Sequence, residues 1–357
     1  MQRASRAVNK ETVDIREIAK RAGVSTATVS RAINRVPTVN SHLAKRVWRA
    51  VDELGYYPNT QARALVSGKS KIFGLIVSEI TNPFFPEIVQ AFESVAVQHH
   101  YEILLTSTVH NPKLMESAVR RMIERRVDGI AVMTFGMEEL LLDDPNLRGV
   151  PLVFVDVGPS RPHVSNIHID YLHGIRQAVQ HLAALRHKRI AFVTGPLGLK
   201  SAIARRDAFL HSVQEIGLTL DTLLVVEGDH TMEGGMTVAA DLLKLPNKPT
   251  AVLCSNDMTA IGVMRMSYEE GIVIPRDLSV VGFDDVRLAQ FMLPPLTTVQ
   301  MSQTDLANSA FKALFAEANR KVPASHGVEY TLRTDLVLRK STTLAPHHGI
   351  RSAGGDS

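Results

Sequence analysis

The sequence predicts the α/β class, with a small all-α module ahead of a larger domain made of two lobes of parallel sheet. Length is the first observation behind this, because 357 residues exceed what one ordinary core organises. The second is the alternation, after Ser70, of short apolar runs with amphipathic stretches. The third is charge. Residues 1–71 carry 14 Lys and Arg against 5 Asp and Glu, a net of +9, whereas the whole chain is only +4. The front fifth is therefore basic on an otherwise acidic protein. A polyanion is its natural partner, and a merely solvated basic face is the plainer alternative.

No stretch of about 18 apolar residues occurs, and the basic run 1–9 lacks the apolar segment of a secretory signal, so the expected location is the cytoplasm. The lone Cys254 excludes an internal disulfide and a thiolate zinc cluster, and a buried reduced thiol is its ordinary role.

From Asp14 the chain reads DIREIAKRAGVSTATVSRAIN. Ile15, Ile18, Ala19 and Ala22 fall on one face of a short helix, with Asp14 as its N-cap. Gly23 supplies the positive φ of a tight turn, Val24 plugs the corner, and Ser25 caps a second helix from Thr26 to about Asn34. Val29, Ala32 and Ile33 then face the first helix, and Ala19 sits where so short a crossing leaves little room. A helix-turn-helix of this build lays its second helix in the DNA major groove and presents Thr26, Ala27 and Arg31 to base edges. Arg31 has the donor fork for guanine O6 and N7, with a non-specific phosphate clamp as the alternative. The Thr26 methyl or Ala27 suits a thymine methyl. Ser25, Thr28, Ser30 and Lys20 suit phosphates, which orient the module without specifying a sequence.

A third helix is expected over 41–54, with Leu43, Val47, Trp48, Val51 and Leu54 at helical spacing, Trp48 in the core, and Gly55 ending it. The segment YYPNTQARALVSGKS reads on composition as a solvated linker. Its alternative is one or two helical turns opening at Pro58 and Asn59 and ordered only by a partner or DNA. Leu65 beside Ala62 and Ala64 has the make-up of a wedge that unstacks a minor-groove base step.

The run TVSRAIN, followed about twenty residues on by ELGYYPNTQARAL, resembles the LacI/GalR family of repressors, and the resemblance extends over nearly the whole chain. It implies that residues 59–67 form a hinge helix paired with its twin from a second subunit, with Asn59, Ala62 and Leu65 on the DNA and Leu65 as the wedge. It also implies that Thr26, Ala27 and Arg31 read bases, and that the large domain is periplasmic-binding-protein-like, its chain crossing between lobes three times. The expected limits are a flexible arm over 1–13, the helix-turn-helix DNA-binding domain over 14–58, and hinge and linker over 59–70. A two-lobed domain over 71–342 and a disordered tail over 343–357 complete them.

Strand-like runs lie at 72–77, 103–105, 129–133, 152–155, 190–193, 223–226, 251–254 and 280–283, with amphipathic stretches such as 85–98, 114–125, 202–216 and 258–270 between them. Repeated βα units build parallel sheets covered on both faces. Ligands of such lobes sit at the strand carboxyl ends, facing the gap between them. Phe84, in TNPFFPEI, offers a ring to the apolar face of a sugar or base, and helix-start packing is an equal reading for Phe85. Arg205, in KSAIARRDAF, and Asp284, in VGFDD, stand at two second-lobe strand mouths, where opposed groups donate to and accept from vicinal hydroxyls. Asn256, in CSNDMTAIG, offers both donor and acceptor, while Asp257 reads as the cap of the helix that follows. By resemblance Phe84, Ser201, Arg205, Asn256 and Asp284 match effector-contacting positions, and Asp156 and His230 lie on strand-end segments that line the pocket.

Three departures from the family pattern stand out. After LTTV this chain has Gln300 then Met301, where many relatives place a Gln two residues on, so a polar contact is expected to be missing. Arg186 replaces a helix-ending Gly in LRHKRIAFVTG, and Tyr171 after Asp170, where an Asn is frequent, brings an aromatic to the cleft. An enzyme reading finds no G-x-S-x-G elbow, H-E-x-x-H or dinucleotide fingerprint, and GPLGLKS has the wrong spacing for a phosphate loop. The adjacent pairs His99 with His100 and His347 with His348 cannot chelate from one helical face, so no catalytic residue, metal or cofactor is expected.

The expected protein is thus a sequence-specific repressor, nucleoid-associated and without a membrane partner. It binds a palindromic double-stranded operator as a homodimer whose first lobes pair across the axis, and a sugar or sugar derivative controls it. The tail has no leucine heptads to build a tetramer. A purine-responsive regulator and a periplasmic-type sugar receptor are the alternatives, and the receptor would need export and have no use for residues 14–67.

Overall fold

The structure is a computed structural model that describes residues 13–34, 36, 38–56, 68–135, 141, 147–158, 160–219, 221, 224–320 and 326–346. The chain divides into two units, Met1–Ser70 and Lys71–Ser357. Asn59, Ala62 and Leu65, with the hinge helix expected to carry them, lie outside the described residues.

In the first unit α1 (Ile15–Ala22), α2 (Thr26–Ile33) and α3 (Ser41–Leu54) close on a core that includes Ile18, Ala19, Val29, Ile33, Val47 and Val51. Asp14 opens α1 with a capping box. Its carboxylate accepts from the Arg16 and Glu17 amides at 2.7 and 3.1 Å, while Glu17 accepts from the Asp14 amide at 3.3 Å. Gly23 ends α1 at φ 63, and the Arg46 guanidinium, donating to the Ala22 carbonyl at 2.5 Å, fills the space a side chain at 23 would need. Ser25 caps α2 by accepting from the Thr28 amide at 3.1 Å.

Trp48 departs from expectation: it is 37% exposed, and Ala50 takes the core place. Successive residues lie about 100° apart around a helix. A stripe centred on Val47, Val51 and Leu54 therefore admits Ala50 at one edge and turns Trp48 out at the other.

The second unit holds two sheets. The first comprises β1 (Ile72–Val77), β2 (Glu102–Ser107), β3 (Gly129–Met133), β4 (Leu152–Val155), β5 (Val164–Asp170) and β11 (Glu329–Arg333), in the order β11-β5-β4-β3-β1-β2 and parallel throughout. The second comprises β6 (Ile190–Thr194), β7 (Val225–Glu227), β8 (Ala251–Cys254), β9 (Ser279–Asp284), β10 (Thr297–Gln300) and β12 (Asp335–Val337), in the order β12-β10-β9-β8-β6-β7. Only β12 breaks the expected parallel pattern, pairing antiparallel with β10 at the sheet edge. The chain passes between lobes after β5, after β10 and after β11, three crossings in all.

Helices cover both faces, which is why the central strands are apolar end to end. Phe73, Leu75 and Val77 of β1 meet α4 (Phe84–Gln98) and α10 (Gln303–Ala318), while Ile76 points to α5 (Pro112–Glu124) on the other side. In the second lobe Phe192 and Leu253 face α6 (Tyr171–Ala184) and α7 (Lys200–Glu215). Val193 and Cys254 face α8 (Met232–Lys244) and α9 (Asp257–Glu269). Cys254 is buried and unpaired.

The described residues also run past the expected limit at 342. His187 Nε2 donates to the Thr343 carbonyl at 2.9 Å and the Ala345 amide to the Leu185 carbonyl at 2.8 Å, so residues 343–346 are bound to the second lobe rather than part of a loose tail. Among the described residues no helix is long and apolar enough to cross a membrane.

Candidate functional site

Two surfaces carry the expected site residues, one in each unit. On the first, α2 buries Val29, Ala32 and Ile33 and leaves Ser25, Thr26, Ala27 and Arg31 exposed, with Thr28 and Ser30 half-buried. The hydroxyls of Ser25 and Thr28 bond each other at 2.9 Å, so one of the two is already engaged as donor. Arg31 makes no hydrogen bond or ion pair with a described residue, and its guanidinium is at liberty to meet a ligand.

The second surface is a cleft enclosing about 470 Å3 including its open mouth. It is lined from the carboxyl ends of strands in both sheets, and it brings together Phe84, Ser201, Arg205, His230, Asn256 and Asp284. Arg205 is the most constrained of these. Its Nη1 donates to the Ser255 carbonyl, its Nη2 lies 3.5 Å from Asp284, and the Phe283 ring lies 4.1 Å from the guanidinium carbon. Both charged side chains are only 6% exposed. Burial pushes the Asp284 carboxyl up to about 7, with Arg205 pulling it down and Glu87 adding to the rise. Arg205 Nε is buried with no partner among the described residues.

His230 shares that condition, its Nε2 being buried and unpartnered. Burial drives its pKa down to about 3, with Arg205 and His110 acting in the same direction and Asp229 opposing, so the ring is neutral at physiological pH. The ring has room only because residue 195 is glycine: a Cβ there would stand 1.9 Å from Nε2. Asn256 donates to the His230 carbonyl at 3.0 Å and caps α9 by accepting from the Thr259 amide at 2.9 Å.

The cap of α9 is therefore Asn256, not Asp257 as expected. Asp257 is fully buried and serves another purpose, its two oxygens accepting from Thr298 Oγ1 at 2.6 Å and the Val286 amide at 2.8 Å. That carboxylate pins the turn after β9, where Asp284 and Asp285 take φ values of 105 and 56. Met301 is 1% exposed and supplies no polar side chain there, while Gln300, one residue earlier, donates to Asp285 at 2.9 Å.

Phe84 and Phe85 both line the cleft, with centroids 5.3 Å apart in a T-shaped pair, so Phe85 serves packing and lining at once. Asp156 is the expected residue that the first cleft does not include. It lies in an adjoining cavity, accepting from the Ile169 amide and the Tyr171 hydroxyl, each at 2.9 Å, and burial raises its pKa. Tyr171 is itself buried, its ring 5.2 Å from the Arg205 guanidinium carbon.

Both units find their counterparts among known proteins. Residues 14–59 match the model for bacterial regulatory proteins of the lacI family, and residues 179–342 match a periplasmic binding protein-like domain. The HTH-type transcriptional repressor PurR of Pasteurella multocida (strain Pm70) is 34% identical over 328 residues, which cover 92% of this chain and 98% of that protein. The chain belongs to the lacI family.

Solved structures place this lacI-family chain beside regulators over more than nine-tenths of its length. The lac repressor dimer bound to operator and the anti-inducer ONPF superposes with a TM-score of 0.82 at 29% identity, covering 93% of this chain and 100% of that one. The complex of the transcriptional regulator CelR with cellobiose gives a TM-score of 0.67 at 28% identity, covering 92% and 99%. The lacI-family chain is accordingly a transcriptional repressor and not an enzyme. Its cleft also holds Ser78, Glu79, His110, Thr134 and Phe135, which sequence reasoning did not single out. The signal was available, since each follows a strand of the first sheet, where the strand-end rule places ligands as surely as in the second.

Proposed function

We propose that this lacI-family repressor binds a palindromic double-stranded operator as a homodimer in the cytoplasm, and that a neutral polyol, a sugar or sugar derivative, controls it from the cleft. The observation that carries the effector reading is the convergence on the cleft of Arg205, Asp284, Asn256 and Ser201, donors and acceptors of the second lobe that suit vicinal hydroxyls. Charge disfavours an anionic ligand: the lining sets the carboxyls of Glu79 and Asp284 against the single guanidinium of Arg205, with His230 uncharged. The cellobiose carried by CelR supports a carbohydrate as the class.

On the DNA side, the exposed face of α2 with Thr26, Ala27 and Arg31 supports major-groove reading, and Ser25, Thr28 and Ser30 suit phosphates. By resemblance Asn59, Ala62 and Leu65 complete the DNA contact from a hinge helix, with Leu65 as the minor-groove wedge. The lac repressor dimer bound to operator supports the paired arrangement.

The test is a thermal-shift screen of the purified chain with neutral sugars, sugar acids, sugar phosphates and nucleobases, each hit then being titrated against a selected palindromic duplex. Stabilisation by a neutral sugar with a change in operator affinity is the expected result. A response confined to nucleobases would replace the polyol reading with the purine-responsive one. No preference for any duplex over random competitor would remove sequence-specific binding altogether.

A further inference from the structure

Ser201, in the first turn of α7, lines two cavities at once: the cleft described above and an adjoining space of about 910 Å3 including its mouth. The partition between them is the stacked pair of Arg205 and Tyr171, 5.2 Å apart, with Arg205 facing the first space and Tyr171 the second. The second space is a built site. Ser201 is 6% and Asn166 8% exposed. Asn166 Oδ1 accepts from the Val157 amide at 3.1 Å, which leaves its Nδ2 without a partner among the described residues, and the Ser201 hydroxyl is likewise unengaged. His168 Nδ1 lies 3.1 Å from the half-buried Asp156 carboxylate, and its ring is 63% exposed at the mouth. The fixed charges are Asp156 and Glu329 against Lys200, so no surplus cation is present to hold a phosphate.

We propose that the second cavity is the subsite for the second unit of a two-unit neutral glycoside. Its first unit occupies the Arg205–Asp284 cleft, and the link between units passes Ser201. The inference rests on the polyol reading of that cleft. The mixed donors and acceptors of the second space, Asn166, Ser201 and His168 beside Asp156, suit ring hydroxyls rather than an anion.

Calorimetric titration of the full chain with D-glucose and D-galactose, and with cellobiose, maltose, lactose and melibiose, tests this. One disaccharide is expected to bind at least tenfold more tightly than either of its constituent sugars. His168→Ala, at the exposed mouth, and Asn166→Asp, which keeps the acceptor for Val157 and removes the free donor, are each expected to bring that ratio toward one. Their ligand-free melting temperatures report that the variants are folded. A monosaccharide that binds as tightly as the best disaccharide, or a ratio untouched by both substitutions, overturns the subsite and leaves the cleft reading standing. No binding by any of the six sugars overturns both.

Discussion

Arg205 reaches the cleft already oriented: Ser255, Asp284 and the Phe283 ring hold its guanidinium from three sides, and its buried Nε has no partner among the described residues. A fork fixed in this way loses little freedom on donating to a ligand. Arg205→Ala is therefore expected to weaken effector binding by about 10- to 100-fold, the equivalent of one hydrogen bond from a charged donor, as read by calorimetry. His230 makes a pH prediction of definite sign. Its ordinary pKa of 6.5 falls to about 3 in the folded chain, so between those values the unfolded chain binds more protons and stability declines as pH drops. His181 and His187, also lowered by burial, act in the same direction. Asp284 opposes them: its pKa rises from 3.8 to about 7, so the folded chain binds more protons across that window and stability declines as pH climbs through it. His230→Phe is expected to flatten the acid limb between pH 6.5 and 4 by up to about 1.4 kcal/mol per pH unit in urea melts. An unchanged limb would mean that the folded ring titrates freely.

At the level of elements, the turn between α1 and α2 depends on one residue. Gly23 holds φ 63, and a Cβ there would meet Arg46 Nη2 at 2.5 Å. Gly23→Ala is expected to destabilise the helix-turn-helix by about 1–3 kcal/mol, through left-handed strain and displacement of Arg46. Faster amide exchange confined to α1 and α2, with weaker operator binding, would report it. Normal protection of both helices would count against the turn as the weak point. This module was legible in the sequence because its caps, turn and apolar spacing are all local. Trp48 misled, since helical spacing alone does not say where a stripe ends. The central strands were legible as apolar runs, whereas β5 and β11 alternate polar and apolar residues, and β10 and β12 span only four and three. β11 and β12 are edge strands with a single neighbour each, so they need no continuous apolar run. In the cleft, residue types at strand ends pointed to Arg205 and Asp284. The contact of Gly195 with His230, and the role of Asp257 in holding Val286, depend on close approach between segments 29 to 35 residues apart, which no local pattern records.

Across the large domain, the turn that presents Asp284 from the second lobe is held directly by the first. Glu87, on α4, accepts from the Arg287 amide at 2.9 Å, and Gln303, on α10, donates to the Asp284 carbonyl at 2.8 Å. Any ligand that engages the Asp284 carboxylate therefore acts on a segment already tied to both lobes. It shifts the balance between lobe arrangements only if those ties differ between them. Glu87→Ala removes one tie, and Glu87→Gln keeps an acceptor there while deleting the charge that helps raise the Asp284 pKa. If the tie belongs to one arrangement, Glu87→Ala should change the factor by which effector alters operator affinity by about 2- to 13-fold, the worth of one hydrogen bond. The factor by which operator alters effector affinity must change equally, because coupling between two sites is reciprocal. Glu87→Gln should retain most of the coupling. Measuring all four legs of the cycle by anisotropy and calorimetry decides the matter: equal shifts in both directions assign the tie to the switch, whereas an unaltered coupling factor in Glu87→Ala means that it persists in both arrangements and only braces the Asp284 turn.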